Sequence, residues 1–535
     1  MPKMTGGQAL AKSLYREGVR VVFGLPGAGQ YEAIDGIYEE PGIRYFTTRH
    51  EQATTHMADG YARVSGNIAT ALVVPGAGVF NASTGISTAH SVSSPILVVT
   101  GRHDQSPNDE MASVRQITKW AARATDPADV PAIVHEAFYH LKTGRPRPVY
   151  LEVPHEVLAA EAEVKLLEPE SYDPPIGEPE GIAEAARLLA TAERPAIWAG
   201  TGAQRSGASQ ALQALAEHLQ APVVTGRESK GVISDRHSLS LGMGELRFDP
   251  LRKWLTQRDV ILAVGTSRFG ESNDKQQIIR IDIDEAAIER TAHNCIGILG
   301  DARCCLEEIY RIVTTTTAAR PNCTEEVRAI NAARFDSKIQ LQPQWGFMQA
   351  IRAAIPDDGI FIQGMNQMGY YSRSYYPVYE PRSYLISAGN LGVAFPVALG
   401  AKIAKPDKAV VVASGDGGFL YNSQELATAV QYGINVVVIV FNDNAYGNVL
   451  RAQIEQFDGH VLGTELYNPD FVKFAESFGA IGMRTKEPYD LEHVIPEALD
   501  RGGPVVIDVP VERMPRPKVW AARAPWTKPQ EGLIS

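Results

Sequence analysis

The sequence predicts three consecutive α/β domains, each built on a doubly wound parallel sheet. Two observations carry this. At 535 residues the chain exceeds what one hydrophobic core organises, so two to four domains are expected. Short β-branched runs also alternate with helical patterns from end to end, which is the mark of βαβ units. A composition of 44% hydrophobic and 21% charged residues is ordinary for a globular chain.

The elements fall in order. Residues 1–19 read as a helix with no apolar leader core, so no signal peptide and a cytoplasmic location are expected. "RVVFGLP", "ATALVVPGAG", "PILVVTG" and "VYLEVP" are the strands of a first domain, residues 1–157. The acidic, proline-bearing residues 158–177 read as a linker. "PAIWAGTGAQ", "APVVTG", "DVILAVGTS" and "IIRIDID" make a second domain, residues 178–313, followed by a second linker candidate, "TTTTAARPNCTEE". "GIFIQG", "VVVASGDGG", "VVVIVFN" and "PVVIDVP" make a third, residues 340–520, and residues 521–535 are a basic, tryptophan-bearing tail. No short-period repeat is visible.

The net charge of −11 argues against nucleic-acid and anionic-membrane partners. No apolar run approaches the ~20 residues of a membrane span. Cys295, Cys304, Cys305 and Cys323 have neither paired nor zinc-ligand spacing, and read as reduced cytosolic thiols.

The chemistry concentrates in the third domain. Its second apolar run ends in Gly415-Asp416-Gly417-Gly418, and a helical pattern follows at once. Glycine lets backbone approach a ligand closely, and ligands of open α/β sheets lie beyond the carboxyl ends of the strands. The next run ends in Asn442, Asp443 and Asn444. Two such strand ends can share a hard divalent cation, and a helix start suits a phosphate. Asp416 also reads as an ordinary N-cap, and "NDNAYGN" as a plain turn.

This pattern resembles the thiamine diphosphate enzymes, whose signature is Gly-Asp-Gly, a spacer, then Asn-Asn. Gly415, Asp416 and Gly417 match its first part and Asn442 the first asparagine. The resemblance implies Mg²⁺ held by Asp416, by Asp443 at the second asparagine, and by the backbone carbonyl of Ala445. Asp443 departs from the pattern, though a carboxylate also suits Mg²⁺; a shift of one residue would make Asn442 the ligand. In "TRHEQATTHMADGYARVSG", Glu51 occupies the family's glutamate position. A carboxyl group on a pyrimidine nitrogen favours the imino tautomer that takes the thiazolium C2 proton. Alone, Glu51 reads as an acid in a first helical turn.

"VFGLPGAG", "RHEQATTHMADGYARVSG", "ITKW", "GNLGVAFPVALGA" and "NPDFVKFAESFGA" resemble the acetolactate synthase branch across all three domains. That implies Leu391 as the residue bending the cofactor and Gly389 as a carbonyl facing its 4′-amino group. It implies a homodimer as the minimal active unit, with Glu51 and Asp416 of one site from different chains, assembling to a homotetramer. The substrate implied is a 2-oxo acid, decarboxylated with transfer of the acyl group to a carbonyl acceptor or a proton.

Departures concern the substrate. The branch's Phe-Gln-Glu stretch is not recognisable in "NDEMASVRQITKW", and Gln453 stands near the acceptor-choosing tryptophan. Ala28 and Pro75 replace a serine and a histidine of related decarboxylases. Ala28, His56, His90, His103 and Gln116 are candidate substrate contacts. The middle domain has Gly200 and Gly202, but Arg205 where a nucleotide fingerprint needs its third glycine. FAD or ADP there is possible but unsupported, with Arg268 near a flavin-contacting position. Two other classes stay open: a thiamine-dependent acyl-CoA lyase or decarboxylase, and a non-catalytic flavin- or cofactor-binding scaffold.

Overall fold

Parallel strands buried on both faces read as unbroken Val, Ile and Leu, and each apolar run becomes such a strand. The computed structural model describes residues 1–102, 109–266, 275–289 and 294–515. In the first domain β1 (Val21–Gly24), β2 (Arg44–Thr47), β3 (Ala69–Val73), β4 (Ile96–Thr100), β5 (Trp120–Arg123) and β6 (Val149–Glu152) pair in the order β2-β1-β3-β4-β6-β5. The second domain has β7 (Ala196–Ala199), β8 (Val223–Thr225), β9 (Ser240–Met243), β10 (Val260–Val264), β11 (Gln277–Asp282) and β12 (Cys295–Leu299), ordered β9-β8-β7-β10-β11-β12. The third has β13 (Ile360–Gln363), β14 (Tyr384–Ile386), β15 (Val410–Gly415), β16 (Val437–Asn442), β17 (Ile481–Arg484) and β18 (Val505–Pro510), ordered β14-β13-β15-β16-β18-β17.

Neighbours in all three sheets run parallel. The first and third sheets share one strand order, a likeness of topology that leaves no short-period signal in the sequence. The edge strands β2, β5 and β17 are only partly buried, so they lack the apolar run of the central strands.

The chain divides into two compact units. Met1–Pro174, Ala354–Tyr370 and Arg382–Pro510, carrying the first and third sheets, form one. Pro175–Ala353 and Tyr371–Pro381, with the described residues from Val511, form the other. In that second unit, buried Lys230 donates to the carbonyls of Arg373 (3.0 Å) and Tyr376 (2.6 Å), satisfying acceptors that a helix end leaves open. The acidic segment is tied down at its start, where Glu161–Glu163 pairs antiparallel with Lys3–Thr5.

In the first unit, α1 (Glu51–Ser65) packs on α2 (Ala77–Ser91) and on α3 (Ala394–Ala404). A Cβ on Gly60 would stand 2.1 Å from the Val397 carbonyl oxygen, and one on Gly400 1.9 Å from that of Met57. Two backbones touch there, and only glycine allows it. Since Met57 meets Gly400 and Gly60 meets Val397, α1 and α3 run antiparallel. One apolar cluster spans this junction, from Phe23 and Val98 to Val412 and Val438. Downstream lie α4 (Asp416–Phe419), α5 (Leu426–Gln431) and α6 (Gly447–Gln456). The single helix expected after Asp416 is thus broken, with a 3-10 turn (Ser423–Glu425) between α4 and α5. Among the described residues no helix is long and apolar enough to cross a membrane.

Candidate active site

The adjacent parallel strands β15 and β16 deliver Asp416 and Asn442 to the same sheet edge. Asp416 is buried, and its carboxylate accepts from the Asn468 amide at 2.6 Å. Backbone N–H groups of Gly417, Ala445 and Asn444 also donate to it. Burial raises its pKa, and these neutral donors, Gly417 and Asn468 first, pull the other way.

The Asn468 amide nitrogen also lies 3.0 Å from Asn442 Oδ1 and 3.2 Å from Asn444 Oδ1. An amide has two hydrogens, so three oxygens converge on a group that can satisfy two. The Asn468 Oδ1 is itself buried without a hydrogen-bond partner. Asn442 is oriented by Asp508, which accepts from its Nδ2 at 3.3 Å and from Arg484 Nε at 3.0 Å. The loop carrying Asn444 is strapped to the Asn468 loop: Tyr446 N–H bonds the Thr464 carbonyl, and Leu466 N–H that of Asn444. Asp443 places its carboxylate against the start of α6, where a Cβ on Gly447 would lie 2.6 Å from Oδ2. Among the described residues no three His, Cys, Asp or Glu gather as a metal cluster, so this is an oxygen site of mixed carboxylate and amide.

The turn before α3 joins the same place. Gly389 takes φ +98°. A Cβ on Gly418 would be 3.6 Å from Leu391 Cδ2, which puts Leu391 over the Asp416 turn. Asn422 donates to the Gly392 carbonyl at 2.8 Å and fastens the turn there. Gly389, Leu391, Gly415, Asp416, Gly417, Gly418, Asn442 and Ala445 therefore share one edge. Asn468 was not legible beforehand, since only the "NPDF" resemblance touched it.

A second group stands at the carboxyl edge of the first sheet. Glu51 opens α1, is 7% exposed, and accepts from Asn81 at 3.1 Å. A Cβ on Gly78 would come 2.8 Å from its Oε1. Ala28 is exposed in the loop after β1, whose Gly27 abuts Val74 just before the buried Pro75. Gln116 is exposed in the turn Arg115–Ile117. His90 sits at the far end of α2, about 18 Å along the helix from Gly78, its pKa lowered by burial and by Arg147 and Arg145. His56 is buried in α1. His103 and Arg268 lie outside the described residues, as does the tail 521–535.

The two groups do not meet within the chain. The antiparallel register sets Leu391 level with the end of α1, so Glu51 is roughly 20 Å away along the helix. Asn390 confirms the direction: it donates to Thr88, near the end of α2 opposite Gly78.

In the middle domain, strand order reverses between β7 and β10, the usual nucleotide crevice. Gly202 lies against Gly265 there, a Cβ on it falling 2.6 Å from the Gly265 Cα. The glycines thus admit neighbouring backbone.

Residues 4–121 match the family model for the thiamine pyrophosphate enzyme N-terminal TPP binding domain, 182–309 the central domain, and 364–509 the C-terminal TPP binding domain. A probable acetolactate synthase large subunit of Methanococcus aeolicus is 33% identical over 95% of this chain and 92% of its own length. The acetolactate synthase isozyme 3 large subunit of Escherichia coli is 31% identical over 94% and 93%. A probable 2-ketoarginine decarboxylase of Pseudomonas aeruginosa is 32% identical over 95% and 94%. With its three domains matched and its relatives alike from end to end, the chain belongs to the thiamine pyrophosphate enzymes, as an acetolactate synthase-like member that uses thiamine diphosphate.

Proposed function

We propose that this enzyme removes CO₂ from a 2-oxo acid and transfers the acyl unit to a carbonyl acceptor or a proton, with Mg²⁺ as its second cofactor. The observation that carries the reading is the convergence of Asp416, Asn442 and Asn444 oxygens at adjacent strand ends, beneath Leu391. Thiamine diphosphate, when bound, supplies the electron sink for decarboxylation. The chain supplies position and protons. Asp416 and the Ala445 carbonyl would hold Mg²⁺ together with Asp443, whose carboxylate stands at the start of α6, or with Asn442, the ligand if the register shifts by one residue. The donor set fits a hard cation, because Asp416 is held by neutral donors and a cation would offset the burial that raises its pKa. Leu391 would brace the cofactor from the Gly418 side, and the Gly389 carbonyl would accept from its 4′-amino group. Glu51 would exchange a proton with its pyrimidine nitrogen.

Because Glu51 stands a helix length from its own chain's Leu391, a complete site takes Glu51 from a second copy. A homodimer is then the smallest active unit, and two such dimers make a homotetramer. The acidic balance supports a small-molecule partner rather than nucleic acid, and a cytoplasmic location belongs to the same reading.

Acceptor choice differs from that of a branched-chain synthase. Gln453, near the position of the acceptor-choosing tryptophan, is committed to its own loop. It donates to the Leu462 carbonyl at 2.9 Å and accepts from the Thr464 hydroxyl at 2.9 Å. Formation of acetohydroxy acids from pyruvate and 2-oxobutyrate should be weak.

Calorimetry on Asp416→Ala tests the core of the reading. Mg²⁺ and thiamine diphosphate binding should be lost together, because each neutralises the other in the site. Unchanged cofactor affinity in this variant would refute the assignment.

A further inference from the structure

One buried acid in the first unit is not used by the site as described. Glu425 ends the 3-10 turn Ser423–Glu425, nine residues after Asp416, and is 0% exposed. Its carboxyl group is turned toward the first domain. The Arg49 backbone N–H donates to Oε1 at 2.9 Å and to Oε2 at 3.2 Å, and the His50 N–H also bonds to it. The Thr428 hydroxyl donates to Oε2 at 2.6 Å and completes the cage.

Neighbouring contacts hold the same short stretch. The Thr47 N–H bonds the Tyr432 hydroxyl at 2.9 Å, and Arg49 Nη2 donates to Gln431 at 3.2 Å. Residues 47–50, the approach to α1, are therefore gripped by the segment from Glu425 to Tyr432. The next residue is Glu51. Its carboxylate is fixed from its own domain by Asn81 and bounded by Gly78, so a shift of the first turn of α1 would move it against both.

We propose that Glu425 is a positioning residue that seats the first turn of α1 and so sets where Glu51 stands toward the cofactor. This rests on the reading of Glu51 given above. Glu425 and Asp416 share one segment, whereas Glu51 and Asp416 of one chain serve different sites. The clamp thus joins the metal-holding segment of one site to the proton-exchanging carboxylate of the other. Burial pushes the Glu425 carboxyl up to about 7, against the Thr428 and Arg49 hydrogen bonds that lower it. A neutral amide of the same shape is a fair substitute, because its oxygen can still accept from Arg49 while its NH2 faces Thr428, whose hydroxyl can accept and turn its own hydrogen to the Thr47 carbonyl.

The test uses the full-length protein with three variants: E425A, E425Q and T428V. Amide hydrogen exchange without cofactor reads the clamp directly. Protection at Arg49 and His50 should fall at least tenfold in E425A and stay near wild type in E425Q. With thiamine diphosphate and Mg²⁺ bound, exchange of the C2 hydrogen should slow at least tenfold in E425A, with cofactor Kd within threefold. E425Q should restore it to within threefold, and T428V should lie between. If E425A does not fold, T428V decides: slowed C2 exchange at unchanged Kd supports the clamp, and a wild-type rate overturns it. Wild-type C2 exchange in a folded E425A also overturns it, as does a loss of cofactor binding that accounts for the whole effect. E51Q serves as the control for the underlying reading. If E51Q exchanges C2 at the wild-type rate, the role of Glu51 fails, while the amide protection still reports on Glu425.

Discussion

Glu51 shows how much of a residue's role depends on its immediate neighbours. Asn81 donates to one carboxylate oxygen and Gly78 leaves room for the other. Glu51→Gln keeps the volume but cannot share a proton with a ring nitrogen. Cofactor affinity should hold within a few-fold while C2 hydrogen exchange falls by about 100-fold or more, the upper range of what a general acid–base group contributes. Nuclear magnetic resonance of the bound cofactor checks this. His56 behaves differently. Burial lowers its pKa to about 4, with Asp59 opposing and Arg63 assisting. Neither ring nitrogen has a hydrogen-bond partner, so its place is the helix interface, which does not bear out a substrate contact. The unfolded chain protonates this histidine below about 6.5, whereas the folded chain resists until about 4. Stability is therefore full above 6.5 and is lost as pH falls toward 4, by about 3 kcal/mol from this group. Urea melts should show that loss in the wild type and a flatter profile in His56→Leu.

Among the elements, the α1–α3 pair bears most on the site, because its register decides which carboxylates meet. Gly60 and Gly400 allow backbone contact at 2.1 and 1.9 Å from a would-be Cβ, distances no side chain tolerates. Gly400→Ala should cost about 1–3 kcal/mol, the usual range for overpacking a tight interface, and lower the melting temperature measurably. A companion change at Gly433, which has φ +60° and open space around it, tests the mechanism. There the penalty comes from backbone conformation alone and should leave α1–α3 packing intact. Scanning calorimetry combined with amide exchange on α1 separates the two. The pieces after Asp416 carry a related lesson. A continuous helical pattern was legible, but α4 stops at Phe419. The chain turns through residues 420–422 and the 3-10 turn Ser423–Glu425 before resuming as α5, which puts Glu425 against the start of α1.

For the whole molecule, the separation of Glu51 from Leu391 underlies the proposal that one site is built from two chains. Glu51→Gln and Asp416→Ala should each be inactive alone. In a mixed dimer both lesions can fall in one site, leaving the other intact. Subunit exchange should therefore restore about half of wild-type activity per mixed dimer if the sites act independently. No recovery despite proven exchange, followed by native mass spectrometry, would contradict the shared site.

Local windows carried the α/β rhythm, the three sheets and the strand-end position of Asp416 and Asn442. Buried parallel strands, and the glycines that follow them, leave their marks within a few adjacent residues. The placement of Glu51 at a helix start was legible for the same reason. Long-range packing decided the rest. Asn468 reaches the oxygen cluster from a loop 52 residues beyond Asp416. Glu425 meets Arg49 across 376 residues. The antiparallel register of α1 on α3 keeps Glu51 from its own chain's Leu391 and the Asp416 turn. None of these has a spacing or a period. Each is fixed by which faces bury against which, a balance of apolar area and backbone hydrogen bonds that exists only once the chain has closed on itself.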